Sequence, residues 1–560
     1  LKASSQLPSL PYLATPRSGS GVASRSGVHP RLCGRSKRGV HAVEMLGDER
    51  QDEDDGQPHL RSGRAVVAAV VASVGAFLFG LDIGYIAPIL ECASFKRDVA
   101  KLDGWDDPNT RIPSGTAGFV VGVFSLGCIV TSIPMVSSYF LDVWGRRTSV
   151  ILGSAVFLAG CGIQAEASNL RMMLAGRLVT GFSIGLLSSV VPLYQAEMAP
   201  ASLRGALTGS YQLMLTLGIF IAAFLDHLLV HREDGWRVAI WLQTIPAGGI
   251  LLAMPFLPRS PRWLVQQGRR REAEETLRYI RSTCDEAQKE LQEIVAEDEM
   301  AKALGEPQWA EVFSGRVGQL TAIGVALQLL QQLVGMNAFM YFGPRIFGSF
   351  GLEPNLFQAI SNGVNCVATV PALYLMDVVG RRMLLQMGGA FMACACIIVA
   401  VLGLLFVSKE DNALVAQNSW VAVVMAGAIF AFVASFACSW GPAVWCYCCE
   451  IFPQKYRARG VGVTTMTNWI GNYLIAQFTP VLLDTCGFGT FFIFGGFSLL
   501  GLALALWLPE TKGVALEHIQ ELFDDKIGVA RQGPASDKDS IPSYGATSEA
   551  ASSKNLATAI

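Results

Sequence analysis

The chain has 560 residues, 51% of them hydrophobic and only 16% charged, with a mean hydropathy of +0.40. A soluble globular chain carries about 25% charged residues, so this composition points to a membrane, and lipid is the expected surroundings. The net charge of −2 offers no basic surface for nucleic acid.

Residues 1–43 contain no Asp or Glu and many Ser, Gly and Arg, the composition of a plastid transit peptide. The other reading is upstream sequence ahead of a start at Met45, and residues 1–63 are expected to be disordered either way. Apolar stretches near the ~20 residues that cross a bilayer follow at 65–91, 114–139, 148–166, 170–195, 207–230 and 237–257. A polar interval at 266–315 then carries charges of alternating sign around Leu277 and Ile280, which predicts amphipathic linker helices. Six more apolar stretches lie at 317–347, 355–376, 384–407, 419–449, 459–483 and 489–508. The tail, 516–560, is rich in Ser, Ala, Gly and Asp and is expected to be disordered. The units are thus 64–265, a linker at 266–315, and 316–515.

Most of the thirteen cysteines sit inside apolar runs as small hydrophobic residues. Cys446, Cys448 and Cys449 lack a second His or Cys cluster, so neither metal nor cofactor is expected. The chain has no HExxH, Walker or GxSxG motif, and an enzyme is not expected. It also has no N-x-[ST] sequon, so treatment with N-glycosidase should leave its gel mobility unchanged.

The two groups of six spans repeat one another. Asp142, Gly145, Arg146 and Arg147 after the second span recur as Asp377, Gly380, Arg381 and Arg382 after the eighth. Glu197, Pro200 and Arg204 after the fourth recur as Glu450, Pro453 and Arg457 after the tenth. Pro258-Arg-Ser-Pro261 after the sixth matches Pro509-Glu510-Thr511 after the twelfth. Every one of these motifs follows an even-numbered span, so all lie on one side. Their arginines place that side, and both termini, in the cytoplasm.

Taken together, "PLYQAEMAPASLRGAL", "PRSPRWL", "QQLVGMNAFMYF", "SWGPAVW", "EIFPQKYRARG" and "LPETKG" resemble the sugar porter family of the major facilitator superfamily, over about 65 to 515. The resemblance implies an all-α membrane protein of twelve transmembrane helices. These form two six-helix halves with a cytoplasmic helical linker and a transport site between them. It implies proton-coupled symport of a monosaccharide, a hexose such as glucose. A facilitated-diffusion hexose or polyol uniporter and a non-transporting sugar receptor are the alternatives. A monomer in the plasma membrane is expected, with the plastid or vacuolar membrane as the other reading.

Sugar hydroxyls donate and accept hydrogen bonds, and neutral amides do both without a charge to desolvate. The spans hold Gln212, Gln331, Gln332, Asn337, Asn365, Asn468 and Asn472. Such amides either contact sugar or bond helix to helix. Gln332 and Asn337 can face one cavity if Gly335 loosens the turn. The resemblance assigns all but Asn472 to the sugar site. It adds Trp445 and Phe79 as apolar walls and Tyr341 as an extracellular gate, with Phe342 in place of a common second Tyr. Gln328 reads as a packing residue.

Asp82 and Arg177 are charges in the middle of apolar spans, where each costs about 2.5–3.5 kcal/mol on insertion scales. Pairing them meets that cost. The pair is either a permanent structural ion pair or a carboxyl that titrates. Proton-coupled members of the family resemble this chain in having Asp at that place, where facilitators commonly have Asn.

The resemblance also makes Arg146, Arg147, Glu197, Arg204, Arg381, Arg382, Glu450, Arg457 and Glu510 a latch of ion pairs between the halves. Arg259 stands where the family usually has an acid of that latch. By similarity to plant-like proton symporters that bridge their halves, Cys92 and Cys486 are expected to form an extracellular disulfide.

Overall fold

A computed structural model describes residues 58–512 and Phe523, except 106, 108–109, 201–203, 230–231, 306–307, 350, 411–412, 417–418 and 454. The chain divides into Leu1–Gly56, which lies outside the described residues, and Gln57–Ile560. The disorder expected for 1–63 and 516–560 therefore falls almost wholly outside them.

In lipid every backbone polar group must be satisfied within the chain, so long apolar runs become helices. The first half holds α1 (Pro58–Glu91), α2 (Ser114–Ser132), α3 (Arg146–Ala165), α4 (Leu170–Met198), α5 (Arg204–Leu229), and a sixth span of α6 (Gly235–Leu242) and α7 (Thr244–Ala253). The linker carries α8 (Pro261–Gln266), α9 (Arg270–Ile280) and α10 (Cys284–Leu304). In the second half the seventh span is α11 (Gly315–Leu333) and α12 (Met336–Gly348), followed by α13 (Pro354–Val378) and α14 (Arg381–Phe406). The tenth span is α15 (Ser419–Cys438) and α16 (Trp440–Glu450); α17 (Arg457–Cys486) and α18 (Thr490–Trp507) complete the set. Eleven described stretches are long and apolar enough to cross a membrane, and the last, Arg457–Trp507, contains both α17 and α18. Twelve spans result. Among the described residues two elements depart from all-α: the short antiparallel strands β1 (Val407–Glu410) and β2 (Ala413–Ala416), which join α14 to α15.

The divided spans have local causes. Proline has no N–H for the carbonyl four residues back. Pro246 and Pro442 therefore leave Leu242 and Cys438 without helical partners, and α6 and α15 end at those residues. The seventh span breaks at Gly335, whose φ of +94° is a left-handed conformation suited to glycine.

The sequence repeat is also a repeat of contacts at the motif-bearing end. Arg146 donates from Nε and Nη2 to Glu197 (3.2 and 3.0 Å) and from Nη1 to the Leu141 carbonyl (3.1 Å). Arg381 pairs with Glu450 (3.1 Å) and donates to the Met376 carbonyl (3.0 Å). Tyr194 donates to the Pro258 carbonyl and Tyr447 to that of Pro509, at 2.7 and 2.9 Å. Arg147 caps the Leu257 carbonyl (2.9 Å), and Arg382 that of Leu506 (2.8 Å). Each arginine thus folds onto its antiparallel neighbour in the same bundle. The ion pairs of Arg146 and Arg381 with these glutamates lie within one half, a correction to the latch expected between halves. Arg457 donates to the nearby Phe452 carbonyl (3.4 Å), and Arg204 begins α5, its side chain lying outside those described.

The halves meet along α1 with α12, α2 with α17, and α5 with α13. At the end opposite the motifs, Asp484 of α17 accepts hydrogen bonds from Ser114 of α2 and Arg345 of α12, and Arg345 also donates to Ser114 (3.4 Å).

The expected bridge between Cys92 and Cys486 is not formed: both are free thiols. Cys92 is buried and lines a small pocket of the first half together with Pro88, Ile89, Leu229 and Trp236, 3.2 Å from Ser94 Oγ. Cys486 is exposed at the end of α17.

Within this set of contacts the two repeats differ at the acid. Glu510 accepts from the N–H groups of Arg381 (3.0 Å) and Arg382 (2.9 Å), placing a carboxylate on the N-terminus of α14. Counted from Pro258 and Pro509, its counterpart at α3 is Arg259, which instead lies over the Trp263 ring at 5.3 Å. An acid at a helix N-terminus contributes about 0.3–1 kcal/mol, and a cation opposes the dipole. Arg259→Glu should therefore raise the unfolding temperature of the purified protein, measured by differential scanning fluorimetry. An unchanged or lower value would show that α3 gains nothing from the acid.

Candidate functional site

Two polar constellations lie inside the apolar bundle. The first begins with Gly80 and Gly84 of α1, which press against α5. A Cβ at Gly80 would sit 2.0 Å from the Leu215 carbonyl oxygen, and one at Gly84 2.6 Å from that of Ile219. Small residues allow such approach of helices. Asp82, between them, meets α4.

Asp82 Oδ2 accepts from Arg177 Nη1 at 2.7 Å, and both side chains are 0% exposed. Arg177 is held on every side. Nη1 also donates to the Tyr85 hydroxyl (3.1 Å), Nε to the Val120 carbonyl (3.3 Å) and Nη2 to that of Val121 (3.5 Å). The Phe124 ring lies 4.8 Å from the guanidinium carbon. Tyr85 donates onward to Gln164, whose amide donates to Thr180 (3.2 Å). The carboxylate is satisfied at one oxygen only, because Oδ1 has no hydrogen-bond partner. A carboxylate held by one oxygen, with the other unpartnered, has a place for a proton.

The second constellation is a chain of amides between the seventh and eleventh spans. Asn337 donates to Gln332 Oε1 (2.6 Å) across the break at Gly335. Gln332 donates to Asn468 Oδ1 (2.8 Å), and Asn468 donates to both Gln331 and Gln328 (2.6 Å each). Gln331 ends the chain on the Trp440 and Gly441 carbonyls (2.9 and 3.1 Å), at the break of the tenth span. One turn along α17, Asn472 Oδ1 accepts from Tyr341 (3.0 Å) and from Ser125 of α2 (2.8 Å). Asn472 thus ties the halves together.

Among the sequence candidates, Gln331, Gln332, Asn337 and Asn468 form one hydrogen-bonded set, joined by Gln328. Asn365 is buried on α13, Gln212 is half-buried on α5, and Trp445 is half-buried on α16; all three stand outside that set. Phe79 reaches the second half through Trp469, with ring centroids 5.3 Å apart, and Trp469 also meets Phe124 at 6.1 Å. Trp469, Tyr85 and Gln164 were not singled out in the sequence. Trp469 adjoins Asn468, and Gln164 is an amide within a span, which were the available signals.

The family model for "Sugar (and other) transporter" matches residues 68–523. The chain is 35% identical over 463 residues to the arabinose-proton symporter of Escherichia coli K12, covering 81% of this chain and 92% of that protein. It is 32% identical over 505 residues to the probable glucose transporter rco-3 of Neurospora crassa, covering 86% and 82%. Among solved structures it is similar to the major facilitator proton:xylose symporter XylE bound to 6-bromo-6-deoxy-D-glucose. That match has a TM-score of 0.68 and 25% identity, over 82% of this chain and 99% of that one. This polypeptide therefore belongs to the sugar transporter family, on the major facilitator fold.

Proposed function

We propose that the chain carries a hexose together with a proton across a membrane by alternating access. The observation that carries this reading is the buried Asp82–Arg177 pair with its unpartnered carboxylate oxygen. The pair sits in a bundle that also presents a chain of amides between spans. Protonation of Asp82 weakens its hold on Arg177, and Arg177 in turn holds α2 through the Val120 and Val121 carbonyls. The proton is thereby linked to the helix that meets α17 across the halves. The similarity to an arabinose-proton symporter and a proton:xylose symporter supports coupling.

In this reading Gln331, Gln332, Asn337 and Asn468 exchange their mutual hydrogen bonds for sugar hydroxyls. Gln212 and Asn365 add contacts, and Phe79 and Trp445 supply apolar walls. Tyr341, bonded to Asn472, closes the extracellular side. The cytoplasmic charges brace each half as a unit that moves whole. The chain acts as a monomer in the plasma membrane, with both termini in the cytoplasm. Uptake of labelled hexose in a transport-null host, at two external pH values and against a panel of competing sugars, tests the reading. Faster, uphill uptake at the lower pH is expected. Uptake that ignores pH and stops at equal concentrations would overturn proton coupling.

A further inference from the structure

A pocket inside the first half lies apart from the amide chain and touches the Asp82–Arg177 constellation only at Tyr85. It is a cavity of about 220 Å³ between α1, α5 and the divided sixth span. Phe77, Leu81 and Tyr85 form its α1 wall, and Ile245 lies on its sixth-span side. Ile245 is 69% exposed, which leaves that side open to the bilayer. Three lining side chains carry polar atoms, and of these the Tyr85 hydroxyl is already bonded to Gln164 and Arg177. Asp226 is 4% exposed, with no hydrogen-bond partner for Oδ2. Gln243 is 3% exposed, and neither Nε2 nor Oε1 is bonded. Gln243 stands where Pro246 divides the sixth span, so the break that opens the cavity also supplies one of its polar groups. Buried polar groups are nearly always partnered. Three unpartnered atoms on two side chains of one cavity are therefore a set of bonds awaiting a ligand.

We infer that this cavity binds a small apolar amine that enters from the lipid. An ammonium offers donors to the Asp226 carboxylate and to Gln243 Oε1. An anion is repelled by that carboxylate and finds a donor only at Gln243 Nε2, and a neutral alcohol supplies a single donor without the charge. The volume is below the ~300–1,000 Å³ of a drug-sized site, so the apolar body is compact, a single cage or ring. The site is independent of the sugar: its walls share no residue with the amide chain. It adjoins the Asp82–Arg177 pair only through Tyr85.

The test uses the full chain in lipid nanodiscs, titrated with 1-adamantylamine, 1-adamantanol and 1-adamantanecarboxylate while thermal unfolding is followed. The amine should raise the unfolding temperature saturably, the alcohol far less, and the carboxylate not at all. Asp226→Asn should weaken the amine by about tenfold to a hundredfold, the range for a hydrogen bond to a charged group. Ile245→Trp, an exposed change beside the opening, should weaken it comparably, with stabilisation by sugar unchanged in both variants. Should Asp226→Asn fail to fold, the contrast of amine with carboxylate and the Ile245→Trp variant decide. An equal response to the carboxylate, an unchanged midpoint in the variants, or competition with sugar would overturn the assignment.

Discussion

Asp82→Asn is expected to abolish accumulation of sugar against its gradient and the pH dependence of uptake, while downhill exchange continues. Asparagine keeps an acceptor oxygen for Arg177 Nη1, which Asp82 now receives at 2.7 Å. It carries no titratable proton. The guanidinium remains bonded to Tyr85 and the α2 carbonyls, so the bundle stays assembled. Asp82→Ala is the instructive contrast. Both variants leave the Arg177 charge without its counter-ion, but alanine also removes the acceptor for Nη1, and breaking a buried pair by removing one partner costs about 3–5 kcal/mol. The alanine variant should lose stability as well as coupling. Counterflow and proton-driven uptake in proteoliposomes separate the two effects. An Asn variant that still concentrates sugar would remove Asp82 from the coupling step.

Gln332→Ala should weaken sugar affinity by about tenfold or more while expression holds. Gln332 is the central member of the amide chain, donating to Asn468 and accepting from Asn337. Its truncation deletes a hydrogen-bonding group offered to sugar and strands two amide neighbours. One lost bond is worth about 0.5–1.5 kcal/mol, and a stranded buried polar group about 1–3 kcal/mol. Because Asn468 shares the network, Gln332→Ala and Asn468→Ala should combine less than additively. The half-saturating sugar concentration for uptake, measured for both single variants and the double, provides the check. Unchanged affinity in Gln332→Ala would take this amide out of the site.

Much of this was legible in the sequence because membrane burial makes polar residues conspicuous. Asp82 and Arg177 stood out as charges that apolar spans tolerate only in a pair, and the pair is formed. Gln332 and Asn337 were placed in register by a glycine between them, and their amides meet across that glycine. The duplicated motifs recur as duplicated contacts. What hydropathy could not show was the direction of each side chain. Arg146 and Arg381 were expected to reach across the halves, yet each bonds the helix end beside it. Cys92 and Cys486 fit the topology of a bridge, but Cys92 is buried, which only packing decides. Trp469 and Tyr85 resemble any core aromatic until Phe79 and Arg177 are placed against them.

The linker has a bearing on how the polypeptide is made. Arg281 is buried, pairs with Glu290, and donates to the Met198 and Ala199 carbonyls at the end of α4 (2.9 and 3.3 Å). Arg262 and Arg270 of α8 and α9 pair with Glu297 and Glu299 of α10 (2.8 and 2.9 Å), and Arg64 of α1 lies over Tyr279 at 4.5 Å. Every partner named here precedes the seventh span. Chains are synthesised from the N-terminus, and domains tend to fold as units in that order. All the groups that anchor the linker are therefore synthesised before the second bundle. The first bundle carries in its own sequence everything needed to clamp its motif-bearing end, without a contribution from the second.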